Sequence, residues 1–316
     1  MSNKLNFNEV DVLLVDPDLN FRQGMAASFV GKGFKIVRQG NKLSNIRDNM
    51  NLVMPDLLIG DCDLPGGDFC DLVLELRNYG ANPFLPIIAM LQNPTEPLVR
   101  KAINSGADFL LIKPISPNLI FERINALIKA RKPFVVTSDY IGPSRRPPDR
   151  DDDDGIPLVD VPNSLRAKAT GITENTSQED IDALVAEINL QKLERHANQI
   201  GYLVDKIVKV MEKGAPDRDT AANLNKLLFV AEDTARRQTG TVYAHVSDLC
   251  QSLITVTGSL IAAAAAANDA ANDMVKDVAL LKHLSLAVKA GFDTNRDTAY
   301  TARRISATVN RNRALK

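Results

Sequence analysis

In the first 131 residues, short apolar runs alternate with segments in which apolar residues recur every three or four positions. The short runs predict five β-strands, at Val12–Val15, Lys35–Arg38, Asp56–Gly60, Pro86–Met90 and Phe109–Ile112. The periodic segments predict five helices, at residues 18–31, 42–50, 68–79, 95–104 and 117–131. Alternating strands and helices predict an α/β fold, a doubly wound five-stranded parallel sheet.

After residue 176 the strand pattern disappears and helical spacing continues to the end of the chain. Seven apolar residues recur at alternating intervals of three and four, as in a coiled coil: Leu190, Leu193, Ala197, Ile200, Val204, Ile207 and Met211. A second long pattern runs from Leu224 to Leu260, and Gly240 can bend it. Segments 268–290 and 293–312 complete four helical stretches, which predict an all-α bundle that forms a homodimer.

The segment between these regions, residues 133–176, is rich in proline and contains the acidic block Asp151–Asp154. This composition predicts a mostly disordered linker. Two apolar islands, residues 134–143 and 156–166, interrupt it. They are either docking peptides for a partner protein or surface elements of their own domain, such as an added edge strand. The expected domains are therefore residues 1–132, the linker 133–176, and a helical interaction domain at 177–316.

Composition and charge narrow the functional classes. The net charge of −1 predicts no whole-chain attraction to nucleic acid or membrane. The N-terminus lacks a signal-peptide pattern, and the apolar stretch Leu253–Ala267 is short for a bilayer span. Cys62, Cys70 and Cys250 give neither a disulfide framework nor a metal-type spacing. We therefore expect a cytoplasmic protein with no membrane or nucleic-acid partner.

Three charged residues follow strands of the predicted sheet. Asp16 follows the first strand, Asp61 ends the third, and Lys113 follows the fifth. Parallel strands bring such residues together at the carboxyl edge of the sheet, where open α/β sheets place their ligands. Two close carboxylates repel each other unless a cation joins them, and Mg²⁺ is a natural cation for oxygen ligands. Lys113 can pair with a carboxylate or with a phosphoryl group bound to it.

The motifs around these residues resemble the receiver domain of two-component response regulators over residues 10–131. They are Asp16 after the first strand, Pro-Asp-Leu-Leu-Ile-Gly-Asp-x-x-Leu-Pro-Gly at 55–66, and Gly-Ala-Asp-x-x-Leu-x-Lys-Pro at 106–114. The resemblance implies that Asp61 accepts a phosphoryl group from a histidine kinase or phosphotransfer protein. It further implies that Mg²⁺ binds Asp16, Asp61 and the backbone carbonyl of Asp63, and that Lys113 stabilises the acyl phosphate.

Three positions depart from the pattern of this family. Pro17 replaces the second acidic residue after strand one, and whether Asp18 reaches in as a substitute ligand stays open. Leu91 replaces the hydroxyl residue of strand four, and Leu110 replaces the aromatic switch residue. Magnesium binding is therefore expected to be weak, and the usual hydroxyl–aromatic relay cannot operate. Asp61 is either phosphorylated with an unusual readout or part of the structural ion pair of a pseudo-receiver scaffold.

The second half shows no catalytic constellation, so we expect a non-enzyme whose helical output binds an unidentified partner protein. His196, His245 and His283 do not match a phosphotransfer motif. The pair Asp248 and Gln251 would suit a helical phosphatase acting on another receiver, but such pairs are common on polar helix faces. Both auxiliary roles remain alternatives. A helix–turn–helix with a basic recognition helix is not evident, which argues against DNA binding.

Overall fold

The computed structural model describes residues 5–146, 157–173, 175–212, 218–238, 241, 243–266 and 271–292. The chain divides into two compact units, Met1–Glu187 and Ile188–Lys316.

The first unit is built on a parallel sheet whose strand order is β2-β1-β3-β6-β7. Its strands are β1 (Asp11–Val15), β2 (Ile36–Gly40), β3 (Leu57–Asp61), β6 (Ile87–Leu91) and β7 (Phe109–Ile112). Two short strands, β4 (Asp63–Leu64) and β5 (Gly67–Asp68), form a separate hairpin directly after β3. The predicted doubly wound sheet is confirmed, and β3 lies at its centre.

Five helices cover the two faces of this sheet: α1 (Leu19–Gly31), α2 (Leu43–Leu52), α3 (Phe69–Tyr79), α4 (Glu96–Asn104) and α5 (Pro117–Ala130). Alternate residues of the central strands point to opposite faces. Leu14 and Ile59 therefore pack with α1 and α5, while Leu13 and Leu58 pack with α2 and α3. Strands buried on both faces explain why β1 and β3 read as continuous apolar runs.

The segment after α5 folds in the two regions that the apolar islands occupy. β8 (Phe134–Val136), β9 (Ile141–Pro143) and β10 (Leu158–Val159) form an antiparallel sheet in the order β10-β8-β9, and α6 (Ser164–Thr170) follows. Of the two alternatives for the islands, surface elements of their own domain agree with this structure, because apolar side chains of both islands are buried. Phe134 and Leu165 are both fully inaccessible to solvent, and Leu165 joins the core on the α1–α5 face. The acidic block 151–154 lies outside the described residues.

The second unit is mostly helical. Its helices are α7 (Gln178–Met211), which crosses the division between the units, α8 (Arg218–Arg237), α9 (Ser247–Ala266) and α10 (Ala271–Gly291). The long pattern from Leu224 to Leu260 proves to be two helices, α8 and α9, that pack against each other. A 3₁₀ turn at Ala244–Val246 precedes α9. Gly240 and the predicted helix at 293–312 lie outside the described residues.

The predicted seam of α7 is used within the chain. Leu193, Ile200, Val204 and Ile207 are buried in one core with residues of α8, α9 and α10. Leu190 is instead 41% exposed, so the apolar seam of α7 is not buried along its full length. The helical bundle of the second half is thus confirmed, whereas its self-association stays a prediction.

Helix α9 differs from the sequence expectation in one respect. Among the described residues, the stretch 244–264 is long and apolar enough to cross a membrane by length and composition. This stretch begins upstream of the predicted apolar stretch Leu253–Ala267, and the absence of a membrane partner stays a prediction. Four of its residues, Leu249, Leu253, Val256 and Leu260, are buried in the bundle core, as in the central helix of a soluble bundle.

Candidate functional site

Three strand ends place the predicted charged residues side by side at the carboxyl edge of the sheet. Asp61 is the last residue of β3 and pairs in register with Met90 of β6. Asp16 directly follows β1, and its backbone N–H donates to the carbonyl of Gly40. Lys113 directly follows β7, and its N–H donates to the carbonyl of Leu91. Backbone hydrogen bonds of the sheet therefore fix all three positions.

The Lys113 ammonium lies between the two carboxylates. Its Nζ is 2.6 Å from Oδ2 of Asp16 and 2.5 Å from Oδ2 of Asp61. Both carboxylates are almost completely buried, whereas the Lys113 side chain keeps 13% exposure. The sequence prediction that these three residues meet agrees with this geometry. We call Asp16, Asp61 and Lys113 the acidic cluster.

Backbone donors complete the hydrogen bonding of the two carboxylates. The N–H of Asp18 donates to Oδ1 of Asp16 at 2.9 Å, and the N–H of Asp63 donates to Oδ1 of Asp61 at 2.7 Å. Each oxygen of the two carboxylates thus has one donor, either a backbone N–H or Lys113. A carboxylate oxygen can accept more than one bond, so further ligands remain possible.

The formal charge of the acidic cluster is −1, because two carboxylates face one ammonium. Burial raises the pKa of Asp16 more than the hydrogen bond from Lys113 and the other favourable contacts lower it. Burial also disfavours the charged form of Lys113, but its hydrogen bonds to Asp16 and Asp61 outweigh this and raise the pKa of the ammonium. The two carboxylates of the acidic cluster outnumber its one ammonium, and two like charges in contact favour the binding of a further cation.

Two residues that the sequence reasoning missed support the acidic cluster from α1. The ring of Phe21 lies under the ammonium of Lys113, 4.8 Å from Nζ to the ring centroid. The buried guanidinium of Arg22 donates from Nη1 to the carbonyl oxygen of Asp16. Their position five and six residues after Asp16 places them in the first turn of α1, beside the end of β1. The local sequence carries no signal that distinguishes Phe21 and Arg22 from ordinary helix residues.

The atypical positions have clear structural roles. Pro17 is exposed, and Asp18 caps α1, since its Oδ1 accepts from the N–H groups of Asn20 and Phe21. Leu91 is 1% exposed and packs in the core on the α2–α4 face, and Leu110 packs against the same core. Leu91 and Leu110 thus pack in the core at the two positions where a hydroxyl residue and an aromatic switch residue were expected.

The oxygen atoms at this site are of the type that a hard divalent cation prefers. Mg²⁺ prefers oxygen ligands, and the carboxylates of Asp16 and Asp61 with the carbonyl of Asp63 would hold it. The described residues contain no cluster of three or more His, Cys, Asp or Glu side chains that could hold a metal. Pro17 has no carboxylate, and Oδ1 of Asp18 is used to cap α1.

The three histidines of the second half differ in their surroundings, and His196 lies beside the buried carboxylate of Asp233, with 3.6 Å between Nε2 and Oδ2. His196 is fully buried in α7, with Nδ1 3.1 Å from the hydroxyl of Thr234. His245 lies in the 3₁₀ turn, and His283 is exposed on α10. A buried imidazole in a helical core is unsuited to phosphotransfer, because its ring nitrogens must reach another protein.

Relatives of the first unit were found by sequence. The family model for the response regulator receiver domain matches residues 12–125. Residues 12–125 are a receiver domain. The receiver domain contains the whole acidic cluster, and the match accounts for about a third of the chain.

The curated relatives match less than half of this chain. The phosphate regulon transcriptional regulatory protein PhoB of Escherichia coli is 25% identical over 125 residues, 40% of this chain and 54% of PhoB. Protein PetR of Rhodobacter capsulatus is 30% identical over 143 residues, 44% of this chain and 58% of PetR. The chain thus spans about half the length of the curated relatives it matches. The chemotaxis response regulator CheY4 of Vibrio cholerae aligns at 20% identity with a TM-score of 0.34, covering 37% of this chain and 96% of CheY4.

Proposed function

We propose that this chain is an atypical response regulator in which Asp61 accepts a phosphoryl group from a histidine kinase or a phosphotransfer protein. The observation that carries the proposal is the position of Asp61 at the end of the central strand. There, Lys113 and the Asp63 N–H hold its two oxygens. Receiver domains are regulatory modules, and this role requires no enzyme activity of the chain.

The chemistry is an in-line transfer in which the protein supplies position and charge. One Asp61 oxygen attacks phosphorus, the bond from phosphorus to the donor imidazole nitrogen breaks, and an acyl phosphate forms. The phosphoryl oxygens bring new negative charge to the place where Lys113 now bridges two carboxylates. Lys113 therefore exchanges its contact with Asp61 for a phosphoryl oxygen and keeps its contact with Asp16.

Mg²⁺ is the proposed cofactor. Asp16, Asp61 and the carbonyl of Asp63 would hold it, and when bound it would neutralise charge on the phosphoryl oxygens. Because Pro17 removes one carboxylate and Asp18 caps α1, we expect weaker binding than at a site with three carboxylates. The ion must also compete with Lys113, which already contacts both carboxylates.

The readout of phosphorylation is proposed to reach a partner protein through the helical region. The buried Leu91 and the partly buried Leu110 provide no hydroxyl–aromatic relay, so the α4–α5 side of the receiver must respond through packing instead. We propose that the receiver at residues 1–132, with the packed elements β8–β10 and α6 that follow it, signals to a cytoplasmic, dimeric interaction domain at 177–316. PhoB is named as a transcriptional regulator, but the sequence of the second half of this chain shows no helix–turn–helix with a basic recognition helix, so we propose a protein partner rather than DNA.

The test is phosphorylation of the purified chain with acetyl phosphate and Mg²⁺, read by intact mass. Wild type is expected to gain one phosphoryl group, and Asp61→Asn to gain none. Asp63→Asn is the matched control, because it alters an exposed side chain while keeping the backbone carbonyl and N–H. Wild type that stays unmodified, also with its cognate kinase domain, would reject the proposal.

A pseudo-receiver scaffold is the second candidate, and one observation favours it. Each oxygen of Asp16 and Asp61 has a hydrogen-bond donor within the protein, which a structural ion pair also requires. In a scaffold, beryllofluoride with Mg²⁺ would leave the NMR spectrum unchanged. In a phosphoacceptor, it would shift the amide signals of residues 61–63 and 113.

A further inference from the structure

Two cysteines lie beside Asp61 and have no role in phosphoryl transfer. Cys62 directly follows Asp61, and Cys70 is the second residue of α3. Their sulfur atoms are 3.7 Å apart, and both side chains are buried, with 8% exposure at Cys62 and 2% at Cys70. Both are free thiols.

The backbone around the pair holds the two thiols in place. The β4–β5 hairpin lies between them, with Asp63 paired to Asp68 and Leu64 paired to Gly67. The N–H of Cys62 donates to the carbonyl of Met90 at 2.7 Å, which fixes this residue to the central sheet. A disulfide would therefore close a loop that the hairpin has already closed, at little extra cost in chain entropy.

Cys70 is placed to be the more reactive thiol. It lies at the N-terminus of α3, where backbone N–H groups favour a negative charge. The contact with the Cys62 sulfur lowers the pKa of Cys70 against the opposing effects of burial and of the Asp68 and Asp71 carboxylates, and the ammonium of Lys101 acts in the same direction as Cys62. Lys101 is anchored nearby by its ion pair with Asp68 at 2.8 Å.

We propose that Cys62 and Cys70 are a redox-active dithiol that a hydroperoxide converts into an intramolecular disulfide beside Asp61. The Cys70 thiolate attacks one peroxide oxygen, the O–O bond breaks, and Cys70 sulfenic acid and an alcohol or water form. The Cys62 sulfur then attacks the sulfenic sulfur, and water leaves with the second thiol proton. Two thiols lose two electrons, and the hydroperoxide gains them. A disulfide bond of about 2.05 Å requires the sulfur atoms to approach by about 1.6 Å, within reach of side-chain rotation.

The disulfide would restrain the turn at residues 61–63, which donates a backbone hydrogen bond to Asp61. Its effect on phosphorylation rests on the proposed function. Cys62 lies between Asp61 and Asp63, whose N–H holds Oδ1 of Asp61. Tying Cys62 to the first turn of α3 restricts the movement by which Asp61 and the Asp63 carbonyl adapt to a phosphoryl group and Mg²⁺. Oxidation is therefore expected to slow acyl phosphate formation.

The first experiment treats the reduced full-length protein with hydrogen peroxide, blocks remaining thiols under denaturing conditions, and measures intact mass. Wild type is expected to lose two of its three free thiols and two hydrogens, reversibly with dithiothreitol, with a peptide crosslink between Cys62 and Cys70. Cys250→Ser, which removes a buried thiol of α9, should form the same crosslink. Cys62→Ser should leave a Cys70 sulfenic acid that dimedone traps. Folding of each variant is checked by circular dichroism, and absence of the crosslink in folded wild type overturns the proposal.

The second experiment separates this proposal from the proposed function. Asp61→Asn should still form the disulfide, because the redox step does not use that carboxylate. Oxidised wild type should take up acetyl phosphate at least about threefold more slowly than reduced wild type, and equal rates would overturn the regulatory part. If reduced wild type takes up no phosphoryl group, amide hydrogen exchange of residues 61–70 decides instead. Slower exchange after oxidation supports the disulfide as a conformational lock, and unchanged exchange overturns it.

Discussion

The two edges of the receiver sheet each carry a buried ion cluster, and the two clusters differ in how completely their charges are satisfied. At the carboxyl edge, the acidic cluster has two carboxylates and one ammonium. At the amino edge, Asp108 precedes β7 and pairs with Arg77 and Arg131. We call these three residues the arginine cluster. Its formal charge is +1, opposite to that of the acidic cluster.

The arginine cluster is saturated with hydrogen bonds. Arg77 donates to the carbonyls of Gly106, Pro83 and Leu85 as well as to Asp108. Burial lowers the pKa of Arg77 to about 10, which leaves it charged at neutral pH. The ring of Phe134 covers both guanidinium groups, 5.2 Å and 5.0 Å from their central carbons to the ring centroid.

The comparison of the two clusters shows which buried charges have a structural role. In the arginine cluster, planar donors meet carbonyls and a carboxylate in fixed geometry, and an aromatic ring closes the site. In the acidic cluster, a flexible ammonium holds two repelling carboxylates and remains partly exposed. A site that exchanges its cation or accepts a phosphoryl group must keep oxygen atoms that can still accept further bonds.

Replacing Arg77 is expected to have the largest effect on stability. Arg77→Met leaves Asp108 with one guanidinium and leaves three carbonyls without their donor, so we expect a loss of about 4 kcal/mol in free energy of unfolding. Urea denaturation followed by circular dichroism measures it. Arg100→Met removes an exposed ion pair with Glu96 and should change stability by less than about 0.5 kcal/mol. Equal effects of the two variants would contradict a structural role for the arginine cluster.

Removing the aromatic cover is expected to have the next largest effect. Phe134→Ala takes a fully buried ring from the contact with Phe84 and from both guanidinium groups, which should cost about 3 kcal/mol. The matched control is Leu158→Ala in the neighbouring strand, because that side chain is 56% exposed. Thermal unfolding compares the two variants. A negligible effect of Phe134→Ala would mean that residues 134–136 do not pack on the receiver in solution.

In the acidic cluster, two substitutions should shift stability in opposite directions. Lys113→Met leaves two buried carboxylates without their cation, and we expect a loss of about 1–2 kcal/mol, reduced by the partial exposure of the site. Asp61→Asn removes one of two like charges and should be neutral or stabilising by up to about 1 kcal/mol. Mg²⁺ should restore stability to Lys113→Met. Destabilisation by both variants would show that this cluster is as saturated as the arginine cluster.

The smallest expected effect is the alkaline pH dependence of the acidic cluster. The pKa of Lys113 is raised in the folded state, so its contribution to stability is present below the unfolded pKa of about 10.5 and is lost as pH rises through the folded value. The difference in unfolding free energy between wild type and Lys113→Met should therefore shrink above about pH 10.5. A difference that stays constant to about pH 12 would mean that the ion pair contributes nothing.

The sequence predicted the sheet and the acidic cluster because both depend on local patterns. Apolar runs predicted the strands, and charged residues at their ends had to meet at one edge. It left residues 134–143 open between a docking peptide and an added strand, because their partners, Arg77 and Phe84, lie far away in the chain. The proximity of Cys70 to Cys62 was likewise hidden, since it depends on the path of the β4–β5 hairpin.

The packing of Phe134 also shows that the folded receiver extends beyond the family match. The family match stops at residue 125, and a fragment cut there would lack Arg131, Phe134 and the helix α6 that contributes Leu165 to the core. Such a fragment would expose Asp108 and Arg77 to water at the edge opposite Asp61. The folding unit is therefore longer than the unit of sequence homology. Truncated preparations for binding or labelling studies should extend at least to residue 173.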